Sequence, residues 1–468
     1  TLVALCCFIM IMNQAVFVRA NVLDGGNSRV VYLLVASDIY EPLKPYLERW
    51  MDDVEKEGYQ TKLKVITNET PEQIRRILRE TPNIAGCLIV GNVGIVRYEM
   101  NEAWEDKTRH VHFPIDLYYM DLDGEWRDND RDEILDYHGG DILPEIWVGR
   151  LIMRGKTREK EIQFLKAYFN RNHLYRIGAY TLPNRALIYI DSDMWEEEDI
   201  PYMISEGELI KSVLFRSKLF KEQELITDPV TTCAEHYLNK LKIGWSLVHV
   251  SVHGNSNGQH FKVNCEWEED YVSSKEIWDL NPKAYFFVLY SCHNARYTES
   301  NYIGGCYVFS NYGLLAIGST KAGAIWDYRG LYRSLGYPFY WNFGDAFLKI
   351  VREFVYRANP KYYYGMVLIG DPLLKPTDNG PDSDGDCLAD WFEVENGLDP
   401  SNPDCDGDGL DDYMELVIYE TNPLKVDSDD DGLSDSLEIE LSADPLDSDT
   451  DDDGLSDSEE VRIGTDVN

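Results

Sequence analysis

After residue 28 the chain alternates between short unbroken apolar runs and longer stretches whose apolar positions recur at helical spacing. "RVVYLLVAS" (29–37), "TKLKVIT" (61–67) and "AGCLIVGN" (85–92) have the length and branched content of buried strands. Between them lie a helical run from about Pro42 to Glu57 and "PEQIRRILRE" (71–80), which carries Pro71 where a first helical turn accepts it. The pattern restarts further on. "RALIYI" (185–190), "WSLVHVSV" (245–252), "AYFFVLY" (284–290) and "YGLLAIGS" (312–319) read as strands, and "ISEGELIKSVLF" (204–215) as a helix. Strands that alternate with helices imply a mainly parallel sheet covered on both faces. The expected fold class is therefore α/β, in two units that divide near residues 170–183 and are assigned to 28–180 and 181–376.

Past Thr377 both periodicities vanish and a repeat replaces them. Acidic loops begin at Asp382, Asp404, Asp427 and Asp449, spaced by 22, 23 and 22 residues, so 381–468 reads as a repeat array. Each loop fits the twelve-position calcium pattern, with carboxylates at 1, 3, 5 and 9 and Glu at 12. The first supplies Asp382, Asp384, Asp386, Asp390 and Glu393; the second Asp404, Asp406, Asp408, Asp412 and Glu415. The third supplies Asp427, Asp429, Asp431, Asp435 and Glu438, and the fourth Asp449, Asp451, Asp453, Asp457 and Glu460. Oxygen-only ligands select a hard cation, so calcium is the expected cofactor. The first loop breaks the pattern at one place: Cys387 stands where the other three carry Gly.

Charge sharpens this division. The formal net charge is −39, and 381–468 holds 31 acidic against two basic residues; that is −29, leaving −10 for the other 380. An array so charged stays compact only with counter-ions, and it argues against nucleic acid as a partner. A smaller acidic cluster, Asp121, Asp123, Asp128, Asp130 and Asp132, is a second expected calcium site, with Arg131 at the place a tight loop would give to Gly. At the other end "TLVALCCFIMIMNQAVFVRA" reads as a secretory signal peptide over 1–20, clipped before its charged start, with Val18 and Ala20 before a cleavage point. The mature chain is then secreted, extracellular or at the cell surface, with no integral membrane segment. Removing the signal leaves seven cysteines, an odd number that implies at least one free thiol. Cys387 and Cys405 are close enough in sequence to pair.

One cysteine stands apart by its position. "SLVHVSV" ends at His253-Gly254, and "AYFFVLY" ends at Ser291-Cys292. Neighbouring strands of a parallel sheet end over one crevice, so an imidazole and a thiol there can meet across 39 residues of sequence. A thiolate is a nucleophile, and a nearby imidazole raises its population and returns the proton to a leaving amine. Gly254, without a Cβ, lets its N–H approach a developing oxyanion. His249 competes with His253 on the same strand face, and His293 points to the opposite face if the strand continues.

Four passages together make a resemblance: "DLYYMDLDGEWRDNDRD" with "LPEIWVGRL", "VSVHGNSNG", "VLYSCHNARY" and "LIGDPLL". The chain resembles the gingipain-type cysteine peptidases, relatives of caspases and legumains, and its tail is similar to thrombospondin type 3 repeats. The resemblance implies two caspase-like three-layer α/β subdomains, the second catalytic, followed by a small calcium-stiffened stalk. It also implies a cysteine endopeptidase acting on protein or peptide substrates. His253 is then the general base and Cys292 the nucleophile, with the N–H groups of Gly254 and Cys292 as oxyanion hole. A carboxylate at the end of "RALIYI" orients the histidine; Asp191 and Asp193 are both there, and Asp193 aligns better. Trp326 matches a wall of the S1 pocket. Where Arg-specific members carry an S1 Asp this chain has Met203, with Asp199 the nearest acid. Two alternatives share these residues: a sortase-like transpeptidase of surface proteins, and a calcium-dependent adhesion protein on an inactive scaffold.

Overall fold

The computed structural model describes residues 28–104, 107–191, 200–262, 270–322, 328–336, 339, 341–357, 363–377, 380–451, 453–465 and 467. The leader at 1–20 and the expected site residues Asp193, Asp199 and Trp326 lie outside the described residues.

Ten strands form one sheet: β1 Val30–Ala36, β2 Gln60–Ile66, β3 Ile84–Val90, β4 Trp147–Leu151, β5 Arg185–Ile190, β6 Glu222–Ile226, β7 Trp245–Ser251, β8 Ala284–Tyr290, β9 Leu315–Ser319 and β10 Met366–Gly370. Their order across the sheet is β6-β5-β7-β8-β9-β10-β4-β3-β1-β2. Every neighbouring pair is parallel except β9 and β10, which run antiparallel with Leu315 opposite Gly370. Strands β5 to β9 thus point one way, and β1 to β4 with β10 the other.

The two α/β units read from the sequence are therefore halves of one continuous sheet. The last strand of the chain's second unit, β10, takes the direction of the first and closes the seam between β9 and β4. All residues of β4, β7, β9 and β10 are buried, as expected of strands covered on both faces.

Local sequence explains the flanking helices. Thr70 and Gln73 form a capping box that starts the helix Pro71–Arg79. Thr157 caps the helix Arg158–Ile177, which Gly178 ends in the left-handed region at φ +79°. Arg171 on that helix is buried and donates to the carbonyls of Val308 and Gly313 at 2.7 Å each, tying the first half to the second. The helix Ser37–Lys56 begins five residues before the predicted start and carries Pro42 and Pro45 inside it.

The first two acidic loops are docked against the amino ends of β5, β8 and β9, the end of the sheet remote from the strand termini that hold His253 and Cys292. Cys387 adopts φ +91°, close to Gly409 and Gly432 at +108° and Gly454 at +95°, so the turn of the first loop matches the others. Its side chain is buried, its carbonyl accepts from Thr181 N–H at 2.8 Å, and Ala389 N–H donates to the Ala179 carbonyl at 2.8 Å. In the second loop Tyr413 is fully buried, with its ring 5.1 Å from Tyr180 and 5.6 Å from Tyr312 and its hydroxyl donating to the Asn311 carbonyl at 2.6 Å. Cys387 and Cys405 are both free thiols, so the pairing open to the sequence is not made. Loops three and four attach to their predecessors instead. Ser436 and Ser458, at the position of Tyr413, donate through their N–H groups to Asp408 at 2.9 Å and Asp431 at 2.8 Å. Among the described residues no helix is long and apolar enough to cross a membrane.

Candidate active site

β7 and β8 are neighbours in a register that sets His249 opposite Val288 and Ser251 opposite Tyr290. Val252 N–H still donates to the Tyr290 carbonyl at 3.0 Å, so the pairing continues past the strand ends. His253 and Cys292 each lie two residues beyond the ends of these neighbouring strands. Both side chains are half-buried, and so open to a ligand.

His253 stands on a hairpin and not in the open loop that "NSNGQ" suggests. His253–Asn255 pairs antiparallel with Gly258–His260, which pairs in turn with Tyr271–Ser273. Asn255 Oδ1 accepts from Asn257 N–H at 2.8 Å and tightens the turn. Gly254 is where the hairpin touches the turn that carries Cys292. A Cβ on Gly254 would lie 2.1 Å from Ser291 Oγ and 2.7 Å from the Gly258 carbonyl oxygen, closer than real Cβ atoms come.

The other candidate histidines take different roles. His249 is fully enclosed, with Nδ1 2.7 Å from Tyr332 Oη and Nε2 3.0 Å from Ser251 Oγ; burial pushes its pKa down to about 3. It is a satisfied core residue. His293 sits at φ +57°, gives its N–H to the Lys321 carbonyl at 3.1 Å, and has its pKa lowered mainly by burial. His260 was missed by the sequence reading. It faces His253 across the hairpin, 3.1 Å from Asn255 Nδ2 through Nε2, with its pKa lowered by burial. The signal available was its place seven residues on, opposite His253 once the turn at 256–257 is recognised.

Asp191 is fully buried at the end of β5. Its N–H donates to the Ser251 carbonyl at 2.9 Å, and its Oδ2 accepts from Lys262 N–H at 2.9 Å, strapping the base of the hairpin. Met203, in the place of an S1 acid, is buried.

The turn that carries Cys292 is pinned from below. Ala295 N–H donates to the Ser319 carbonyl at 3.0 Å, and Gly304 N–H to the Asn294 carbonyl at 2.8 Å. The first half of the sheet adds support. Asp116 accepts from Tyr297 Oη at 2.9 Å and from Arg150 Nη2 at 2.6 Å, and the Arg150 guanidinium lies 4.5 Å from the Tyr297 ring centre. Lys321 forms a buried ion pair with Glu102 beside the same turn.

The acidic cluster of the first half does not converge on one point. Asp121, Asp123 and Glu145 form one group, and Asp128, Asp130 and Asp132 another, each with oxygens within 4.8 Å. Asp121 is already engaged by Gly124 N–H at 2.6 Å and His138 Nε2 at 2.5 Å. Arg131 does adopt the left-handed conformation, at φ +66°, that a Gly was expected to supply there.

In the array the first-position aspartates bind their own loops. Asp404 Oδ1 and Oδ2 accept from Gly407 and Gly409 N–H at 2.7 and 3.1 Å, and Asp427 does the same with Asp430 and Gly432 at 2.7 and 2.9 Å. The ninth-position aspartate reaches back: Asp412 of loop two lies with Asp386 and Glu393 of loop one, oxygens within 4.8 Å of one another. Buried oxygens of Asp384, Asp386, Glu393, Asp406, Asp412, Glu415, Asp429, Glu438 and Glu460 have no hydrogen-bond partner among the described residues. Mutual burial raises Asp386 to about 8, Glu393 to about 7 and Glu438 to about 8. Clustered bare carboxylates of this kind fit a hard divalent cation.

The chain matches Peptidase family C25 over residues 27–377 and the Bacterial TSP3 repeat over 404–426 and 449–466. It is similar in fold to the Arg-specific cysteine proteinase gingipain R (RgpB), with TM-score 0.54 and 16% identity over 77% of this chain and 81% of that one. A complex of the pro- and mature domains of RgpB from Porphyromonas gingivalis is similar too, with TM-score 0.52 and 14% identity over 76% of this chain and 81% of that one. No curated protein matches the chain. A match over residues 27–377, on a sheet that brings His253 and Cys292 to adjacent strand ends, makes the chain a member of peptidase family C25, the gingipain family of cysteine peptidases, followed by bacterial TSP3 repeats.

Proposed function

We propose that the protein is an exported endopeptidase in which His253 and Cys292 form the catalytic dyad. The observation that carries this reading is that β7 and β8 are parallel neighbours and that His253 and Cys292 each lie two residues past their ends, with Gly254 packed against Ser291. The Cys292 thiolate, its proton taken by His253, attacks the peptide carbonyl carbon. The negative oxygen is met by the N–H groups of Gly254 and Cys292. Collapse breaks the C–N bond, the amine leaves with the proton from the imidazolium, and a thioester remains. Water, deprotonated by His253, then releases the carboxylic acid and restores the thiol.

Asp193 is proposed to orient His253, and Trp326 with Asp199 to border the substrate pocket. Residues 28–180 and 181–376 are proposed as the two caspase-like subdomains, joined through β10. Calcium bound by the carboxylates of 381–468 neutralises charge there and takes no part in the chemistry; the cluster at Asp121 to Asp132 is a weaker fit, being split in two. The apolar segment 1–20 and the repeat array support a location outside the cytoplasm.

The test is labelling of the purified protein by a peptide acyloxymethyl ketone in calcium, with hydrolysis products sequenced. Cys292 is the expected adduct, and Cys292→Ala and His253→Ala should each abolish turnover. An adduct on any other cysteine, or full activity in Cys292→Ala, sinks the reading. Transfer of the acyl group to added amines in place of hydrolysis would instead identify a transpeptidase.

A further inference from the structure

Asn294, two residues past Cys292, is fully buried and uses all of its amide within the nucleophile turn. Its Nδ2 donates to the Leu289 carbonyl at 2.8 Å and to the Ser291 carbonyl at 2.6 Å. Its Oδ1 accepts from Ser319 N–H at 3.0 Å, at the end of β9. One side chain therefore ties the last turn of β8, the residue before the nucleophile and the neighbouring strand.

The bond to Ser291 has a consequence for the next atom along. A trans peptide is planar, so the carbonyl of Ser291 and the N–H of Cys292 point in opposite directions. Holding that carbonyl on the buried Asn294 turns the Cys292 N–H away from Asn294, the direction that a donor to an oxyanion at this strand end needs. Rotation of the Ser291–Cys292 peptide would lose both the bond to Asn294 and the Cys292 donor. We propose that Asn294 is the positioning residue that sets the oxyanion hole of this peptidase, by fixing the orientation of the Ser291–Cys292 peptide; this rests on the dyad proposed above. Gly318 belongs to the same device. A Cβ there would lie 2.1 Å from Asn294 Oδ1, so only glycine leaves the amide its place.

A reaction that makes an oxyanion and one that does not separate this role from general support of the turn. Alkylation of Cys292 by iodoacetamide displaces iodide at a saturated carbon, creates no oxyanion, and reports the thiolate alone. In Asn294→Ala, kcat for peptide hydrolysis should fall by about 10²–10³, the size of losing one oxyanion donor. KM and the iodoacetamide rate across pH 5–9 should stay within about threefold, and a peptide aldehyde, whose hemithioacetal oxygen occupies the hole, should bind at least about tenfold more weakly. Loss of iodoacetamide reactivity in parallel with kcat, or unchanged kcat in the folded variant, overturns the proposal. If Asn294→Ala does not fold, Gly318→Ala must show the same split, and wild-type kcat in it overturns the proposal equally. A wild-type protein that hydrolyses no peptide would sink the dyad reading and this proposal with it, whereas an active wild type with an unchanged variant sinks this proposal alone.

Discussion

His249 and His253 lie on one face of β7 and its extension, four residues apart, yet their surroundings are opposite. Little in "HVSVH" separates them, because only Ser251 among the partners of His249 is local, and the rings that enclose it, Tyr328 and Tyr332, come about eighty residues later. What differs in the folded chain is burial: His249 is enclosed, whereas His253 is half-buried at the strand end. The buried neutral ring of His249 makes a prediction at this scale. Its pKa is about 3 in the folded chain against 6.5 when free, so the unfolded state binds the extra proton between those values. Its contribution to stability is complete above pH 6.5 and is lost as pH falls towards 3. Between pH 7.5 and 4.5 the wild type should therefore lose about 2–3 kcal/mol more than His249→Gln, at about 1.4 kcal/mol for each step of one pH below the free value. Urea unfolding of both proteins at the two pH values checks this, and equal losses would reject it.

At the scale of elements, long apolar runs were legible and short or polar ones were not. "RALIYI" and "AYFFVLY" mark β5 and β8 to the residue, since every position but one end residue of each is buried and apolar. The edge strand β6, "EQELI", was invisible because one side of it meets solvent. β4 and β10 are only five residues each, and their pairing across the seam depends on contacts more than two hundred positions apart. In the site, the placing of His253 and Cys292 at neighbouring strand ends was legible, whereas the place of Asn294 was not, because its bonds run to three backbone atoms that no residue pattern displays. The hairpin gives the next prediction. Gly254→Ala places a methyl against both Ser291 Oγ and the Gly258 backbone, and the second cannot move aside cheaply. A displacement of about 1 Å at His253 should lower kcat/KM about 10²-fold. Ser291→Ala, which removes a buried hydroxyl with no hydrogen-bond partner among the described residues, should recover part of that loss in the double variant. Full activity in Gly254→Ala would show that the hairpin does not set the geometry.

Across the whole molecule the array is two structures in series, and the tenth loop position distinguishes them. Trp391 and Tyr413 occupy it in the first two loops and Ser436 and Ser458 in the last two. The aromatics turn to the peptidase, with Trp391 Nε1 3.2 Å from the Gly178 carbonyl oxygen, and the serines turn to the preceding loop. The contrast was present in the sequence, but the fixed spacing made all four loops look alike, and the resemblance to thrombospondin type 3 repeats implied a stalk throughout. Removing 422–468 should then leave the peptidase intact, while removing 381–468 uncovers Tyr180 and Tyr312 and deletes Cys387, Leu388 and Tyr413 from the core. At about 1.5–3 kcal/mol for each large apolar side chain, the longer deletion should cost at least about 3 kcal/mol and lower Tm by roughly 6–12 °C. Calcium should act through the same contacts. Without it, the buried oxygens of Asp386, Glu393 and Asp412 lose the cation that would satisfy them, at the same loop that makes the Thr181–Cys387 and Ala179–Ala389 hydrogen bonds. Chelation should therefore speed amide hydrogen exchange at Thr181 and Ala389 by at least about tenfold, and lower Tm in both the full chain and the 422–468 deletion. Protection at Thr181 that persists in chelator, while the outer loops lose theirs, would confine calcium to the outer half of the array and separate it from the stability of the enzyme.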